Sequence, residues 1–567
     1  VLEGAAAASF YGSDAANGVV QIITKRGKFG QDGRVQFSVR GEGGQSNIGH
    51  YPQMATHHEF DTNADGSFKL DAAGARIVKQ TTGSGGVNTS GIMDQAYPAG
   101  SYRNQMKTWL KDGNFYTTNA QLGLRRGNTN FNSSFTLDRN EGILPFVRGQ
   151  DRRNLRLNLD QSLAANLDIS AGVSYGLNTN DLGGEESGPF FALLQAPPDI
   201  DLKYPYGQRD VPYWPKLPDS LAKNARGNPL YQLANQEYSL RRERMLGSFA
   251  VRYRPTDWLR VEGSYGTDRS NRRNRNYQFR GYLNGDGEET KGFLSMANWN
   301  DVAENSQVNA TATKLVFNNL LSSTRVAYLY ENVENVYEYA GGNALKVTGT
   351  PDLAGLDPAL LSVNSELVNI RTQDLIASQS LTWKDRYILD ILGRRDGSSL
   401  FGSDQRWQNF YRISAAYRIS EDFTLPGVQE MKIRAARGTA GLRPRFYDQY
   451  ETYSLSGGVF SKQQVGNKDL KPAIQTEDEF GLNITFLNRF DLELVQANRI
   501  TKGAFLNVPL SVAAGGFSSQ VQNAADVSAR TTELSLQTRV IDRPNFTYSF
   551  SLTGDHTTQR IDAMSVA

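Results

Sequence analysis

A few clusters of side chains in this 567-residue chain have types and spacings that could do chemistry. Asp61, Asn63 and Asp65, followed by Gly66, open like a calcium loop. Oxygen donors at alternate positions suit a hard cation, and the glycine permits a sharp turn. The position of the usual bidentate glutamate holds Ala72, so a polar loop turn is the competing reading and calcium stays a candidate structural ion. His57 and His58 precede this run. Adjacent loop side chains diverge, so a solvated pair is expected rather than a metal site. Tyr204, Tyr206, Tyr213 and Trp214 are interleaved with Pro205, Pro212 and Pro215. Rigid aromatic faces suit sugar rings or peptide side chains, which makes these four the candidate ligand-binding residues; the alternative is an interfacial aromatic belt or plain loop packing. Arg269, Arg272, Arg273, Arg275 and Arg280 form a basic stretch for surface phosphate groups or for water. The acidic glycine turn at 284–289, NGDGEE, has the composition of a solvated loop tip. No Ser–His–Asp set, phosphate-cradling glycine loop or carboxylate pair stands out. No catalytic residue is assigned and no enzymatic activity is expected.

Composition narrows the frame that must hold these groups. Apolar residues make up 39% of the chain and aromatics 10%, with 26 Tyr and 27 Phe. No run approaches the roughly 20 apolar residues of a membrane-spanning helix. That leaves barrel strands open, because alternating strands never give a strong hydropathy peak. With no Cys, disulfides and thiolate metal sites are out of consideration. A net charge of +2 implies no polyanion partner, hence no nucleic acid. Four His leave little material for metal or acid–base chemistry.

From Gly33 onward the dominant signal has period two. Val35, Phe37 and Val39 alternate with Gln36 and Ser38; Leu155, Leu157 and Leu159 alternate with Arg156 and Asn158. Tyr411, Ile413, Ala415 and Tyr417 alternate with Arg412 and Ser414, and Tyr548, Phe550 and Leu552 with Ser549 and Ser551. Successive strand side chains point to opposite faces, so one face is apolar and the other is polar. About 17 strands are expected, many of about 10–14 residues, longer than the usual strand of soluble sheets. Short links fall at 127–130, 164–166, 255–257, 318–319, 384–385, 421–428, 487–488 and 542–544. Between them lie long links, roughly 44–113, 181–245, 269–305, 337–369, 441–474 and 502–524. Strict short–long alternation is what an up-and-down transmembrane barrel with one plain and one functional rim produces.

Several stretches also resemble a known family. Residues 1–28, VLEGAAAASFYGSDAANGVVQIITKRGK, are similar to the end of the plug domain of SusC/RagA-type TonB-dependent outer-membrane transporters. Its plug motif places turn glycines after Tyr11 and Asn17, at Gly12 and Gly18, before a β-branched strand. Glu3 and Asp14 depart from the basic residues common there. RYILDILGRRDGSSLF at 386–401, KIRAARGTAG at 432–441 and NKDLKP at 467–472 resemble that family's barrel motifs. PFFALLQAPP at 189–198, with Asn228, Pro229 and Leu230, resembles its third extracellular loop.

The resemblance implies an all-β transmembrane barrel, residues 31–567, preceded by the C-terminal end of a plug at 1–30. Full barrels of this family have about 22 strands. The chain is therefore expected to be an incomplete barrel, a fragment that lacks about five closing strands, most of the plug and the TonB box. The function assigned belongs to the parent protein. That function is active import of large nutrients, glycan or peptide oligomers, across the bacterial cell outer membrane. The implied partners are the inner-membrane TonB complex, a SusD-like surface lipoprotein, outer-membrane lipid and an oligosaccharide or peptide substrate. No cofactor is implied beyond the candidate calcium. The alternative is a non-transporting receptor or adhesin barrel that binds ligands through its long loops.

Overall fold

The computed structural model describes residues 33–564 apart from 73, 75, 80, 84–85, 89–93, 182–188, 204–212, 214–227, 285–286, 318, 457, 512 and 514. The plug segment at 1–30, with Tyr11, Gly12, Asn17 and Gly18, lies outside these residues.

The frame is one antiparallel series of strands. They are β1 (Val35–Ser46), β2 (Gly113–Arg126), β3 (Thr129–Asn140), β4 (Gln150–Ala164), β5 (Leu167–Asn180) and β6 (Gln236–Thr256). Next come β7 (Leu259–Gln278), β8 (Phe293–Val316), β9 (Leu320–Asn343), β10 (Leu361–Trp383), β11 (Tyr387–Ser398) and β12 (Trp407–Arg418). The series ends with β13 (Val428–Leu442), β14 (Ala473–Phe486), β15 (Phe490–Pro509), β16 (Ser519–Arg543) and β17 (Phe546–Met564). Each pairs with the next in sequence. A hairpin of Thr452–Ser456 and Val459–Val465 leans on the start of β16 through a short parallel pairing and completes a 19-stranded sheet. Every residue of β1 and β17 is exposed, as befits the two ends of the series.

The expected short links share one rim and the expected long links the other, but the alternation in length is not strict: two further links on the long-loop rim, 141–149 and 399–406, are no longer than 419–427 opposite. Turns at 127–128, 165–166, 257–258, 317–319, 384–386, 419–427, 487–489 and 544–545 share one rim. The opposite, long-loop rim carries 47–112, 141–149, 181–235, 279–292, 344–360, 399–406, 443–472 and 510–518. The strands, however, run further toward that rim than expected. β7 continues to Gln278 and β8 begins at Phe293, so the link expected over 269–305 shrinks to 279–292. Apolar alternation stops where the sheet leaves the hydrocarbon, but ladder pairing needs only the backbone. Polar stretches such as Arg269–Gln278 therefore remain strand.

The outward faces carry the apolar residues. Phe249 pairs with Tyr265; Val308 pairs with Tyr328, and that with Leu375. All five side chains are exposed, Val308 by 56% and Phe249 by 47%. A continuous exposed belt of this kind marks an interaction with membrane. At the short-turn rim Trp383 lies against Tyr387 at 5.3 Å, and Tyr387 stacks on Tyr417 at 4.8 Å. Both tyrosine hydroxyls donate to Asp422, at 2.7 and 3.0 Å, and Arg386 pairs with the same carboxylate. Rings with an apolar body and a wet polar tip form the girdle at a membrane surface.

Candidate functional site: the long-loop rim

Three links of the long-loop rim fold into one small core. The first contains helix α1 (Gln105–Trp109), and the third contains α2 (Pro189–Gln195) and α3 (Pro229–Asn235). The Asn104 side chain caps α1 by accepting from the Lys107 N–H at 3.1 Å. Asn228 caps α3 by accepting from the Leu230 N–H at 3.0 Å, and Pro229 fits the first turn, where no donor is needed. Met106 on α1 and Leu230 on α3 point inward and meet Leu193 of α2 and Leu202 of the loop after it, and all four are at most 1% exposed. Burial of each stabilises the core by about 1.5–3 kcal/mol.

The turn after α2, the Pro-Pro-Asp-Ile run at 197–200, is what the first link grips. Gln105, fully buried, donates its side-chain amide to the Pro197 carbonyl at 2.9 Å and the Ile200 carbonyl at 2.8 Å. The Arg103 N–H donates to the Pro198 carbonyl at 2.7 Å. Arg76 reaches Asp199 at 2.6 Å with both side chains almost completely buried. Its guanidinium also lies 3.9 Å from the Phe68 ring and 5.2 Å from the Phe60 ring. Rings that face a cation repay part of the cost of removing it from water.

His58 belongs to the same cluster, which corrects the expected solvated pair. It is 2% exposed, edge-on to Phe68 at 4.9 Å and to Tyr97 at 5.3 Å. The reason is local: residues 57–58 pair with 95–96 as a short two-stranded ladder, and alternation sends His58 inward and His57 outward. His58 Nδ1 accepts from the Phe60 N–H at 3.2 Å, which requires the neutral ring nitrogen. Burial pulls its pKa below the usual value, and Arg76 adds to that pull. Burial, with Asp199 nearby, pushes the Tyr97 hydroxyl up to about 12.

The calcium candidates form a tight polar hairpin. Asp61 accepts from the Lys69 ammonium at 2.8 Å. Asp65 accepts from the Ser67 hydroxyl at 2.6 Å, and Asn63 donates to that same hydroxyl at 3.0 Å. Among the described residues no three His, Asp or Glu side chains are grouped to hold a metal. Tyr213 stands at φ 62° and packs between Trp109 at 6.3 Å and Phe146 at 5.4 Å. Tyr204, Tyr206 and Trp214 lie outside the described residues. The arginine stretch is not gathered. Arg269 pairs with Glu304, Arg275 with Glu237, Arg272 covers Trp299, and Arg280 donates to the Leu345 carbonyl. Strand alternation splits Arg272 from Arg269, Arg273 and Arg275.

A second cluster joins the barrel motifs. Arg394 sits 2.8 Å from Asp374 and 3.8 Å from Asp396, and Asp396 also takes Arg443 at 3.3 Å. The four side chains are nearly inaccessible. A Cβ on Gly402 would fall 2.2 Å from the Lys468 carbonyl, and one on Gly441 2.7 Å from Phe410. That Cβ on Gly441 would also lie 3.4 Å from Pro472, so GTAG and the turn just after RRDGSS both abut NKDLKP, at the base of the long loops. Asp374, Arg443, Gln105, Arg76 and Asp199 escape sequence reasoning because each acts through a distant partner and carries no local pattern.

No family model matches the chain. It is 23% identical, over 97% of its length, to a TonB-dependent receptor of Formosa agariphila, and covers 54% of that protein. A shorter stretch, 30% of the chain, is 25% identical to the TonB-dependent receptor SusC of Bacteroides thetaiotaomicron and covers 19% of it. The chain thus spans about half the length of the curated receptors it matches most fully. Its fold superimposes on the RagAB peptide importer in the closed-closed state with a TM-score of 0.80 at 18% identity, covering 99% of this chain and 64% of that one. In sequence the chain is similar to TonB-dependent receptors over nearly its whole length and to SusC over a shorter stretch, and in fold it is similar to the RagAB importer; its strands are those of an outer-membrane β-barrel.

Proposed function

We propose that the chain supplies most of the barrel wall of a TonB-dependent importer, one that moves large nutrients across the outer membrane. The observation that carries this reading is the packed crown of the long-loop rim, standing on a wall with an apolar outside. Short periplasmic turns and long extracellular loops are the rule for such barrels, which puts the crown outside the cell. A crown with its own core presents a fixed binding surface, which reduces the ordering cost of capture. Peptide or glycan oligomers are the proposed substrate class; the likeness in fold to a peptide importer supports the first of the two. A SusD-like surface lipoprotein is the partner at that rim, and the TonB complex supplies the energy from the other side. No step of this scheme needs covalent chemistry by the chain.

The test is uptake by cells of a deletion strain complemented with the whole protein. Fluorescent oligopeptides and oligosaccharides should accumulate inside only with an intact proton gradient and TonB. Surface binding without accumulation would return the non-transporting receptor or adhesin as the better reading.

A further inference from the structure

The outward face of β11–β15 has a dent in the apolar belt. Ala415 on β12 pairs with Ala435 on β13, and two small side chains in adjacent strands leave the face hollow. Tyr417 and Ile433 wall the hollow toward the short turns; Phe480 and Leu494 wall it on the far side. The cavity measures about 680 Å³ and is lined almost wholly by apolar atoms. That is within the roughly 300–1,000 Å³ of ordinary ligand pockets. Its floor is firm: on the opposite face Arg434 is tied to Glu493 at 2.8 Å and to Asn483 at 2.7 Å. The hollow opens beside the ring stack of Tyr417, Tyr387 and Trp383, which marks the short-turn membrane surface. There Lys384 holds its ammonium 4.7 Å from the Trp383 ring.

We propose that this hollow seats one acyl chain of a glycerophospholipid from the leaflet at the short-turn rim, with its phosphate drawn to Lys384. The hollow belongs to the membrane-facing belt, so hydrocarbon is what it meets. A void against a membrane forfeits dispersion contacts along its whole lining, and a flexible chain can fill it. The depth agrees. Ala415 lies two residues beyond Tyr417, about 7 Å along the strand at roughly 3.4 Å per residue. That is well inside one leaflet of a core about 30 Å thick. A cation at the surface end and an apolar trough below it match the two ends of a phospholipid. A flat or concave patch of a second copy would leave the hollow unfilled.

The experiment uses the whole protein in lipid nanodiscs doped with a phospholipid that carries a diazirine on its acyl chain. After photolysis, adducts are mapped by peptide mass spectrometry. Adducts on the segments around Ala415, Ala435 and Phe480 should exceed those on the outward face of β4 around Leu157 several-fold. Ala415→Leu with Ala435→Leu should lower the former to the level of the latter and leave Leu157 labelling unchanged, which also reports an intact barrel. Lys384→Ala should reduce the excess for an anionic phospholipid more than for a zwitterionic one. Equal labelling of the two faces, or an excess that survives filling the hollow, would overturn the proposal. So would capture of a second copy by a photoreactive residue placed at position 435.

Discussion

The Arg76 guanidinium lies 2.6 Å from the Asp199 carboxylate, and this pair, buried in the crown, clamps the first long loop to the third. The rings of Phe60 and Phe68 cover the cation, and Gln105 holds the carbonyls on either side of Asp199. The clamp is therefore a site where one lost partner leaves a charge stranded away from water.

Removal of one partner of a buried pair typically costs about 3–5 kcal/mol, whereas a matched apolar pair costs far less. Asp199→Ala should open the crown to protease in the first and third loops while the barrel keeps its heat-modifiable mobility on gels. The double variant Arg76→Leu, Asp199→Leu should be cleaved more slowly than the single one. Equal cleavage of the three proteins would show that the pair does not hold the loops.

The same cluster carries a pH response. Burial depresses the His58 pKa in the folded crown below the usual 6.5 or so of an exposed histidine. The unfolded loop then binds the extra proton more readily, so stability rises with pH through this range. The contribution is complete above about 6.5 and is lost as the pH falls through the lower folded value. Proteolysis of the crown should accelerate on acidification from neutral pH, and His58→Phe should flatten that dependence. An unchanged profile in the variant would assign the response to other groups.

Gly402 is held against the Lys468 carbonyl, where a methyl group would stand at 2.2 Å. The contact is to backbone, so relief requires a shift of the turn or of the NKDLKP run. Gly402→Ala should destabilise by about 1–3 kcal/mol, as overpacking does. Urea unfolding of the whole protein in detergent, compared with Ser403→Ala as control, measures it. A loss no larger than in the control would mean that the two segments part easily.

The wall was far more legible than the crown. Alternation at Leu155, Leu157 and Leu159, and turn residues such as Asp385 and Asn488, are local signals, and the strands and turns appear where those signals lie. Lys384, Asp385, Leu487 and Asn488 all adopt φ between 52° and 56°, the left-handed geometry of tight hairpins. Polar strand ends such as Arg269–Gln278 were hidden, because their pairing is backbone chemistry without a hydrophobic pattern. The clamp was hidden for another reason: Arg76, Gln105 and Asp199 meet only after two long loops have packed. The burial of His58 is not legible in the sequence because a two-residue ladder, too short to leave a pattern, decides which of two adjacent rings is buried.

Orientation is accessible because the chain has no cysteine of its own. A cysteine at Leu455, exposed on the long-loop hairpin, should react with a membrane-impermeant maleimide on intact cells. One at Ala165, in the turn between β4 and β5, should react only after the outer membrane is breached. The reverse pattern would invert the barrel and place the crown in the periplasm.

The faces of β12 can be tested one residue apart. Ile413 is 48% exposed and lies on the outward face with Ile391, its partner on β11. Ser414, paired with Asp390, points the other way. A charge on the lipid face of a barrel costs about 2–4 kcal/mol near the midplane and little where the lumen can hydrate it. Ile413→Arg should therefore lower folding stability in lipid vesicles by that amount, and Ser414→Arg by much less. The comparison is stringent because the two positions share a strand and nearly the same depth and differ in the face on which the side chain lies. A larger loss for Ser414→Arg than for Ile413→Arg would shift the register by one residue, and every outward residue of β12, Ala415 included, would then face the lumen; equal losses would deny the two faces any difference in environment.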